Sequence, residues 1–141
     1  MRVTCDSDVL SNFGRKKGRG AREVRDAITN GSLWLNVIAL FETRGGMQGP
    51  EHVADFDRRL GHLPVLELTR EAALRAGDLW RELRRKKVSI HIRDLLMAAV
   101  AEAGGARLLT ADADFEPLLE LGLDIEILSE ESRSGRHATT R

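Results

Sequence analysis

The sequence predicts an α/β fold built on a largely parallel sheet. Short apolar runs typical of strands alternate along the chain with segments whose apolar residues recur at helical spacing. Strands that are apolar throughout are buried on both faces, which happens when helices connect parallel strands and cover the sheet. The 141 residues, 42% of them hydrophobic and 31% charged, suit a single globular domain.

The first half of the chain shows this alternation through local start and stop signals. Asp, Ser and Pro precede or open the predicted helices, and glycines follow them. The predicted elements are a strand at Arg2–Asp6, a helix from Ser7, a basic loop at Gly14–Gly20, a helix at Ala21–Ile28, a strand from Leu33 running into a helix that carries Glu42, and a helix from Pro50 to Leu60.

The second half continues the alternation and ends in a polar tail. The predicted elements are a strand at Leu63–Leu68, a long helix capped by Thr69 and ending at Arg84–Lys87, an apolar helix opened by Asp94, a strand at Ala106–Thr110, a short helix at Phe115–Leu121 and a strand at Leu123–Leu128. Small and polar residues follow, so we expect a folded domain over residues 1–128 and a disordered tail over 129–141.

The composition argues against several classes of protein. No stretch approaches the roughly 18 apolar residues that a membrane helix needs, and the N-terminus lacks a basic-then-apolar signal pattern. The single cysteine, Cys5, has no partner for an internal disulfide and lies in an apolar run, which favours a buried structural role. We therefore expect a cytoplasmic protein without disulfides.

The helix that begins near Asp94 is apolar on nearly all sides. Leu95, Leu96, Ala98 and Val100 fall around its whole circumference, which predicts a central, buried helix. Asp94 stands in the first turn, where a carboxylate can simply cap the free N–H groups and favour the helix dipole. Capping and chemistry are both open interpretations of Asp94 at this point.

Other acids are predicted at the same side of the sheet. Asp6 ends the first strand, Asp112 follows the strand at Ala106–Thr110, and Glu42 lies a turn into the helix after the Leu33 strand. Ligands of parallel sheets gather beyond the carboxyl ends of the strands. Carboxylates clustered there repel one another unless a cation neutralises them, and an all-carboxylate set favours Mg²⁺ or Mn²⁺. Phosphodiester hydrolysis is the natural reaction class for such a metal site.

These residues resemble the PIN-domain ribonucleases, and among them the VapC-type toxins of toxin–antitoxin pairs. The similar segments span roughly Val3 to Leu128 in the family's own order. They are Cys5-Asp-Ser-Asp-Val-Leu10, Asn36-Val-Ile-Ala-Leu-Phe-Glu42, Leu66-Glu-Leu-Thr-Arg-Glu-Ala-Ala73, Leu83-Arg-Arg-Lys-Lys87, Ile92-Arg-Asp-Leu-Leu-Met-Ala-Ala99 and Leu109-Thr-Ala-Asp-Ala-Asp-Phe115.

The resemblance implies a PIN-like three-layer α/β/α fold and an endoribonuclease that uses one or two Mg²⁺ or Mn²⁺ ions. It assigns catalytic and metal-binding roles to Asp6, Glu42, Asp94 and Asp112, with Asp114 as a fifth metal ligand and Thr110 as the hydroxyl beside them. The products would carry 5′-phosphate and 3′-hydroxyl ends. The implied partners are the RNA substrate, a small antitoxin whose C-terminal segment covers the acidic site, and a second copy of the chain in a homodimer.

The chain departs from the family pattern at three positions. Asp8 stands where Asn or Ser is usual, and Asn36 and Ala39 stand where the family often has Ser and Thr. We expect Asp8 to cap the following helix rather than to bind metal. Two other functions stay open: a haloacid-dehalogenase-like phosphatase that uses Asp6 and Asp8, and a non-catalytic binding module with the PIN fold.

RNA can approach the carboxylates only if positive charge flanks them, because the carboxylates would otherwise repel its phosphates. The basic candidates for RNA binding are Arg15, Lys16, Lys17, Arg19, Arg84, Arg85, Lys86 and Lys87. Trp34 and Trp80 fall on apolar faces and are expected to pack in the core rather than to stack on bases. His91 is expected at the end of a strand, without a role as an acid–base catalyst.

Overall fold

The structure, a computed structural model, describes residues 1–129 and confirms the predicted α/β fold. The predicted tail therefore lies outside the described residues, apart from Ser129. The strands are β1 Arg2–Cys5, β2 Leu35–Asn36, β3 Val65–Leu66, β4 Ala106–Thr110 and β5 Ile125–Ile127. The helices are α1 Ser7–Gly14, α2 Ala21–Thr29, α3 Val37–Gly45, α4 Pro50–Leu60, α5 Arg70–Arg85, α6 Ile92–Ala103 and α7 Glu116–Glu120, with a 3₁₀ helix at Ala113–Phe115.

All strand pairs within residues 1–129 are parallel, as the apolar runs predicted. β4 lies between β1 and β5, and β2 pairs with β3. A bridge between Val3 and Leu33 joins the two groups, so the strands lie in the spatial order β3, β2, β1, β4, β5. The carboxyl ends of β1 and β4 meet at the centre of this sheet, where Cys5 is opposite Leu109.

Helices cover both faces of the sheet, which makes three layers. Neighbouring residues of β4 point to opposite faces, as in any strand. Leu108 packs with α5, α6 and α7, whereas Leu109 packs with α1, α2 and α4. The buried side of α6 includes Leu95, Met97 and Val100, which confirms the prediction of a central helix.

The sequence overstated the length of two strands. The runs from Leu33 and at Leu63–Leu68 contain only two strand residues each, in β2 and β3. The helix after β2 already begins at Val37, because the Asn36 side chain accepts a hydrogen bond from Ile38 N–H and caps it. An apolar run alone does not distinguish strand from buried helix, so the boundary was missed.

The expectation that both tryptophans lie in the core is wrong for Trp80. The buried stripe of α5 is Ala72, Ala76, Leu79 and Leu83, and Trp80 lies one residue to the side of it with 44% of its surface exposed. Arg84 stacks over the Trp80 ring at 4.8 Å. Trp34 is partly buried against the cluster around Val100.

Cys5 is buried, and burial raises the pKa of its thiol above the ordinary value, which agrees with a structural role. No helix in the described part of the chain is both long enough and apolar enough to cross a membrane.

Candidate active site

The acids predicted at the carboxyl ends of the strands do lie around one edge of the sheet. Asp6 directly follows β1, Asp112 lies two residues after β4, and Asp94 is in the first turn of α6. Glu42 is carried by α3, and Asp114 lies in the 3₁₀ helix. We call these five carboxylates the acidic site.

Asp6 is the most deeply buried member of the acidic site, with 5% of its surface exposed. It caps α1 by accepting a hydrogen bond from Val9 N–H at 2.9 Å, and its other oxygen accepts one from the Thr110 hydroxyl at 2.5 Å. The expected cap, Asp8, is instead an exposed residue inside the helix. Asp6 takes the capping position because β1 ends one residue earlier and leaves it extended.

Burial raises the pKa of Asp6 from 3.8 to about 6. The hydrogen bonds from Thr110 and Val9 lower that pKa, whereas the charges of Asp8 and Asp112 add to the rise. The Thr110 hydroxyl in turn accepts a hydrogen bond from Asp112 N–H at 3.0 Å. Thr110 is thus the hydroxyl beside the acids, and it joins Asp6 to the segment that carries Asp112.

Asp94 is not the capping residue of α6. The cap position belongs to His91, whose side chain makes no capping hydrogen bond, and Asp94 is the third residue of the helix. Burial raises the pKa of Asp94, and the charges of Asp112, Glu42 and Asp114 raise it further against the opposing effect of His91. His91 therefore precedes a helix rather than ending a strand, which corrects its predicted position.

Glu42 is held by two neighbours that the sequence interpretation did not select. Ser7 Oγ donates a hydrogen bond to one carboxylate oxygen at 3.4 Å. Arg93 Nε lies 3.3 Å from the other oxygen, and Glu42 is the less exposed member of this ion pair. Their signal in the sequence is position alone, since Ser7 follows Asp6 and Arg93 precedes Asp94.

Asn36 links the helix of Glu42 to the helix of Asp94. It is 1% exposed, caps α3, and donates a hydrogen bond from Nδ2 to the Met97 carbonyl oxygen at 3.0 Å. This departure from the family pattern thus keeps a hydrogen-bonding role. Ala39 is buried in the core cluster with Leu95 and makes no polar contact through its methyl side chain.

Asp112 and Asp114 are locally coupled. The Asp112 side chain caps the 3₁₀ helix by accepting a hydrogen bond from Asp114 N–H at 2.8 Å. This turn leaves Asp112 partly exposed and Asp114 exposed. Because both charges act on Asp94, the turn completes an electrostatically connected set of acids.

The side chains of the acidic site have the chemistry to bind a divalent cation, but they are not arranged around a common point that would hold one. Within residues 1–129, no three His, Cys, Asp or Glu side chains converge closely enough to hold a metal ion. The ligands on offer are carboxylate oxygens, which Mg²⁺ and Mn²⁺ prefer. The charges of Asp112, Glu42 and Asp114 raise the pKa of Asp94, and a bound cation would offset this repulsion. By the chemistry of their side chains, the residues present therefore fit such an ion.

One of the two predicted basic segments reaches the acidic site. Arg19 donates a hydrogen bond from Nη1 to the Ala111 carbonyl oxygen at 3.2 Å, next to Asp112. Arg15 lines a cleft of about 510 Å³ that also touches Ser7 and Glu42, and Lys16 and Lys17 are exposed between these arginines.

The second basic segment, Arg84–Lys87, is exposed at the end of α5. Arg85 and Lys86 both approach Glu82, and Arg84 stacks on Trp80. None of these contacts involves a residue of the acidic site.

The PIN-domain family profile matches residues 3–118. The chain belongs to the PIN-domain family. Ribonuclease VapC10 of Mycobacterium tuberculosis is 33% identical over 118 residues, a match that covers 84% of this chain and 88% of the relative. This PIN-domain protein is thus of the VapC ribonuclease type, and the phosphatase interpretation of Asp6 and Asp8 is set aside.

Solved structures agree on the PIN fold at low sequence identity. VapBC2 from Rickettsia felis, bound to a DNA fragment from its promoter, matches with a TM-score of 0.74 at 20% identity and covers 89% of this chain and 97% of its own. DNA-bound VapBC from Salmonella typhimurium matches with a TM-score of 0.73 at 21% identity and covers 89% and 96%. The three-layer arrangement of this PIN-domain protein is therefore that of known family members.

Proposed function

We propose that the protein is a metal-dependent endoribonuclease that hydrolyses RNA phosphodiester bonds at the acidic site. The observation that carries the proposal is the position of half-buried Asp94, whose pKa rises through burial and through the charges of Asp112, Glu42 and Asp114. Such an arrangement is costly without a cation. The ribonuclease name of the relative that is 33% identical supports the RNA substrate.

Asp6, Glu42, Asp94 and Asp112 would hold Mg²⁺ or Mn²⁺, with Asp114 as a further ligand. A bound divalent ion supplies a polarised phosphoryl oxygen and a water of lowered pKa. Thr110 keeps one oxygen of Asp6 oriented by its hydrogen bond, and Asp112 N–H orients Thr110 in turn. These contacts hold the Asp6 carboxylate and the Asp112 backbone in place at the ends of β1 and β4.

The chain's other site residues would bind and orient the RNA. Arg15, Lys16, Lys17 and Arg19 form the positive rim that attracts phosphates to an otherwise repulsive site. The hydrogen bond from Arg19 to the Ala111 carbonyl oxygen supports this role, because Ala111 is next to Asp112. Arg84–Lys87 would contribute more distant phosphate contacts, since this segment lies at the end of α5.

As a VapC-type ribonuclease, the protein acts as the toxin of a toxin–antitoxin pair. Structural relatives were crystallised as VapBC complexes and as a toxin–antitoxin complex from Klebsiella pneumoniae. On that likeness we infer a small antitoxin that covers the acidic site, a homodimer of this chain, and action on RNA in the cytoplasm.

The decisive experiment compares RNA cleavage by the purified protein and by Asp94→Asn, with Mn²⁺ and with EDTA. We expect cleavage by the native protein in Mn²⁺ only, with 5′-phosphate ends, and a loss of at least a hundredfold in Asp94→Asn. Asp78→Asn is the matched control, because Asp78 is an exposed acid on α5 that pairs with Arg81. Cleavage that survives EDTA, or that folded Asp94→Asn retains, contradicts the proposal. Absence of cleavage by the native protein favours the non-catalytic binding module.

A further inference from the structure

Arg93 places a permanent positive charge inside the acidic site. It is the second residue of α6, directly before Asp94, and its Nε lies 3.3 Å from Glu42 Oε2. Glu42 is 20% exposed in this pair, whereas Arg93 is 56% exposed. The carboxylate is thus the more enclosed partner, and the arginine is the partner with room to move.

Both carboxylate oxygens of Glu42 have a hydrogen-bonding or ionic neighbour. Ser7 Oγ donates to Oε1 at 3.4 Å, and Arg93 approaches Oε2. A cation that uses Glu42 as a ligand must compete with the guanidinium for Oε2. Arginine does not lose its proton in proteins, so the competition is relieved by movement of the side chain and not by deprotonation.

An arginine displaced from Glu42 stays beside the acidic site, because its backbone is fixed in the first turn of a buried helix. A guanidinium in that position suits a phosphate oxygen, which it can bind in a fork geometry.

We propose that Arg93 pairs with Glu42 in the metal-free protein and contacts an RNA phosphate once the metal has displaced it. The proposal rests on the proposed function, because it requires a metal and an RNA at the acidic site. The proposal predicts that the Arg93 side chain weakens metal binding and strengthens phosphate binding.

The first test measures Mn²⁺ affinity without RNA, by calorimetric titration of the metal-free protein. We expect Arg93→Gln to bind Mn²⁺ about two- to fivefold more tightly than the native protein, as a partly exposed ion pair is removed. Arg93→Lys keeps the charge and is expected to lie closer to the native value. Arg81→Gln is the matched control, since Arg81 is exposed and pairs with Asp78 at 3.5 Å on α5.

The second test measures RNA cleavage at saturating Mn²⁺ over a range of salt concentrations. Arg93→Gln is expected to raise KM severalfold and to reduce the slope of log affinity against log salt by about 0.7, the value for one lost contact to a single strand. Arg81→Gln is expected to leave both quantities unchanged.

The outcomes separate this inference from the function on which it rests. If the native protein neither binds Mn²⁺ nor cleaves RNA, the proposed function fails and the inference fails with it. If the native protein does both, unchanged or weaker Mn²⁺ binding by Arg93→Gln overturns the competition at Glu42. An unchanged KM and salt slope overturn the phosphate contact.

Discussion

Asp6 is a buried acid whose charged form is unfavourable in the metal-free protein and would be stabilised by a bound cation. Burial raises its pKa to about 6 although two hydrogen bonds lower it. A carboxyl whose pKa is higher in the folded state than in the unfolded state favours folding when it is protonated. That contribution is complete below the unfolded value of 3.8 and is lost as the pH rises through the folded value of about 6.

Asp6→Asn should therefore stabilise the metal-free protein at pH 8 while abolishing Mn²⁺-dependent activity. The pKa difference corresponds to at most about 3 kcal/mol of unfolding free energy, and asparagine can keep the hydrogen bond from Val9 N–H. Urea unfolding in EDTA at pH 4 and pH 8 measures the effect. A variant that gains no more stability at pH 8 than at pH 4 contradicts the assigned environment of Asp6.

Thr110→Val tests the hydrogen bond that orients Asp6. The Thr110 hydroxyl lowers the pKa of Asp6, so its removal should raise that pKa further and leave more of the acid protonated at pH 7. Mn²⁺ affinity should fall severalfold at pH 7 and recover in part at pH 8.5. Thr110→Ser, which keeps the hydroxyl, is the control. Equal affinities for the two variants at pH 7 would remove this role from Thr110.

Helices α3 and α6 carry Glu42 and Asp94, and the Asn36 side chain fixes one to the other. Asn36→Ala should lower the unfolding free energy by about 1–3 kcal/mol, because it removes a cap and a buried hydrogen bond to the Met97 carbonyl oxygen. Asn36→Ser should restore the cap but not the bond to Met97. Its unfolding free energy should therefore lie between those of the native protein and Asn36→Ala. Denaturant unfolding ranks the three proteins, and Asn36→Ala as stable as the native protein would contradict the link.

Adjacent residues of α5 test which face of that helix is buried. Leu79 is 2% exposed and Trp80 is 44% exposed. Leu79→Ala should cost about 2–5 kcal/mol of unfolding free energy. Trp80→Ala should cost much less, since the Trp80 side chain is largely at the surface, where Arg84 stacks over its ring. Thermal or urea unfolding of the two variants gives the comparison, and equal losses would place Trp80 in the core.

At the level of elements, the sequence predicts long periodic segments better than short apolar ones. The helix at Ile92–Ala103 and the strand at Ala106–Thr110 follow from their apolar patterns. β2 and β3 were predicted too long, because a buried helix start and a buried strand carry the same residue types. The inner face of α5 was assigned one residue too broadly, which put Trp80 on the wrong side.

For the whole molecule, the topology determines which acids can meet. Parallel strands bring the ends of β1 and β4 together, so Asp6 and Asp112 could be paired from the sequence. The contacts of Glu42 with Ser7 and Arg93 could not be predicted from the sequence, because they depend on how α3 packs against α1 and α6. The sequence likewise measures no distances, and the described acids do not by themselves form a closed set of metal ligands.

The central claim is that separate acids at the end of β1, on α3, on α6 and in the turn after β4 form one metal centre. Its most direct test is the stoichiometry and affinity of Mn²⁺ binding to the metal-free protein, the four substitutions being Asp6→Asn, Glu42→Gln, Asp94→Asn and Asp112→Asn. We predict a saturable Mn²⁺ site in the native protein and a loss of affinity of at least tenfold in each folded variant. Mn²⁺ binding that is absent from the native protein, or that all four variants retain, would contradict the claim.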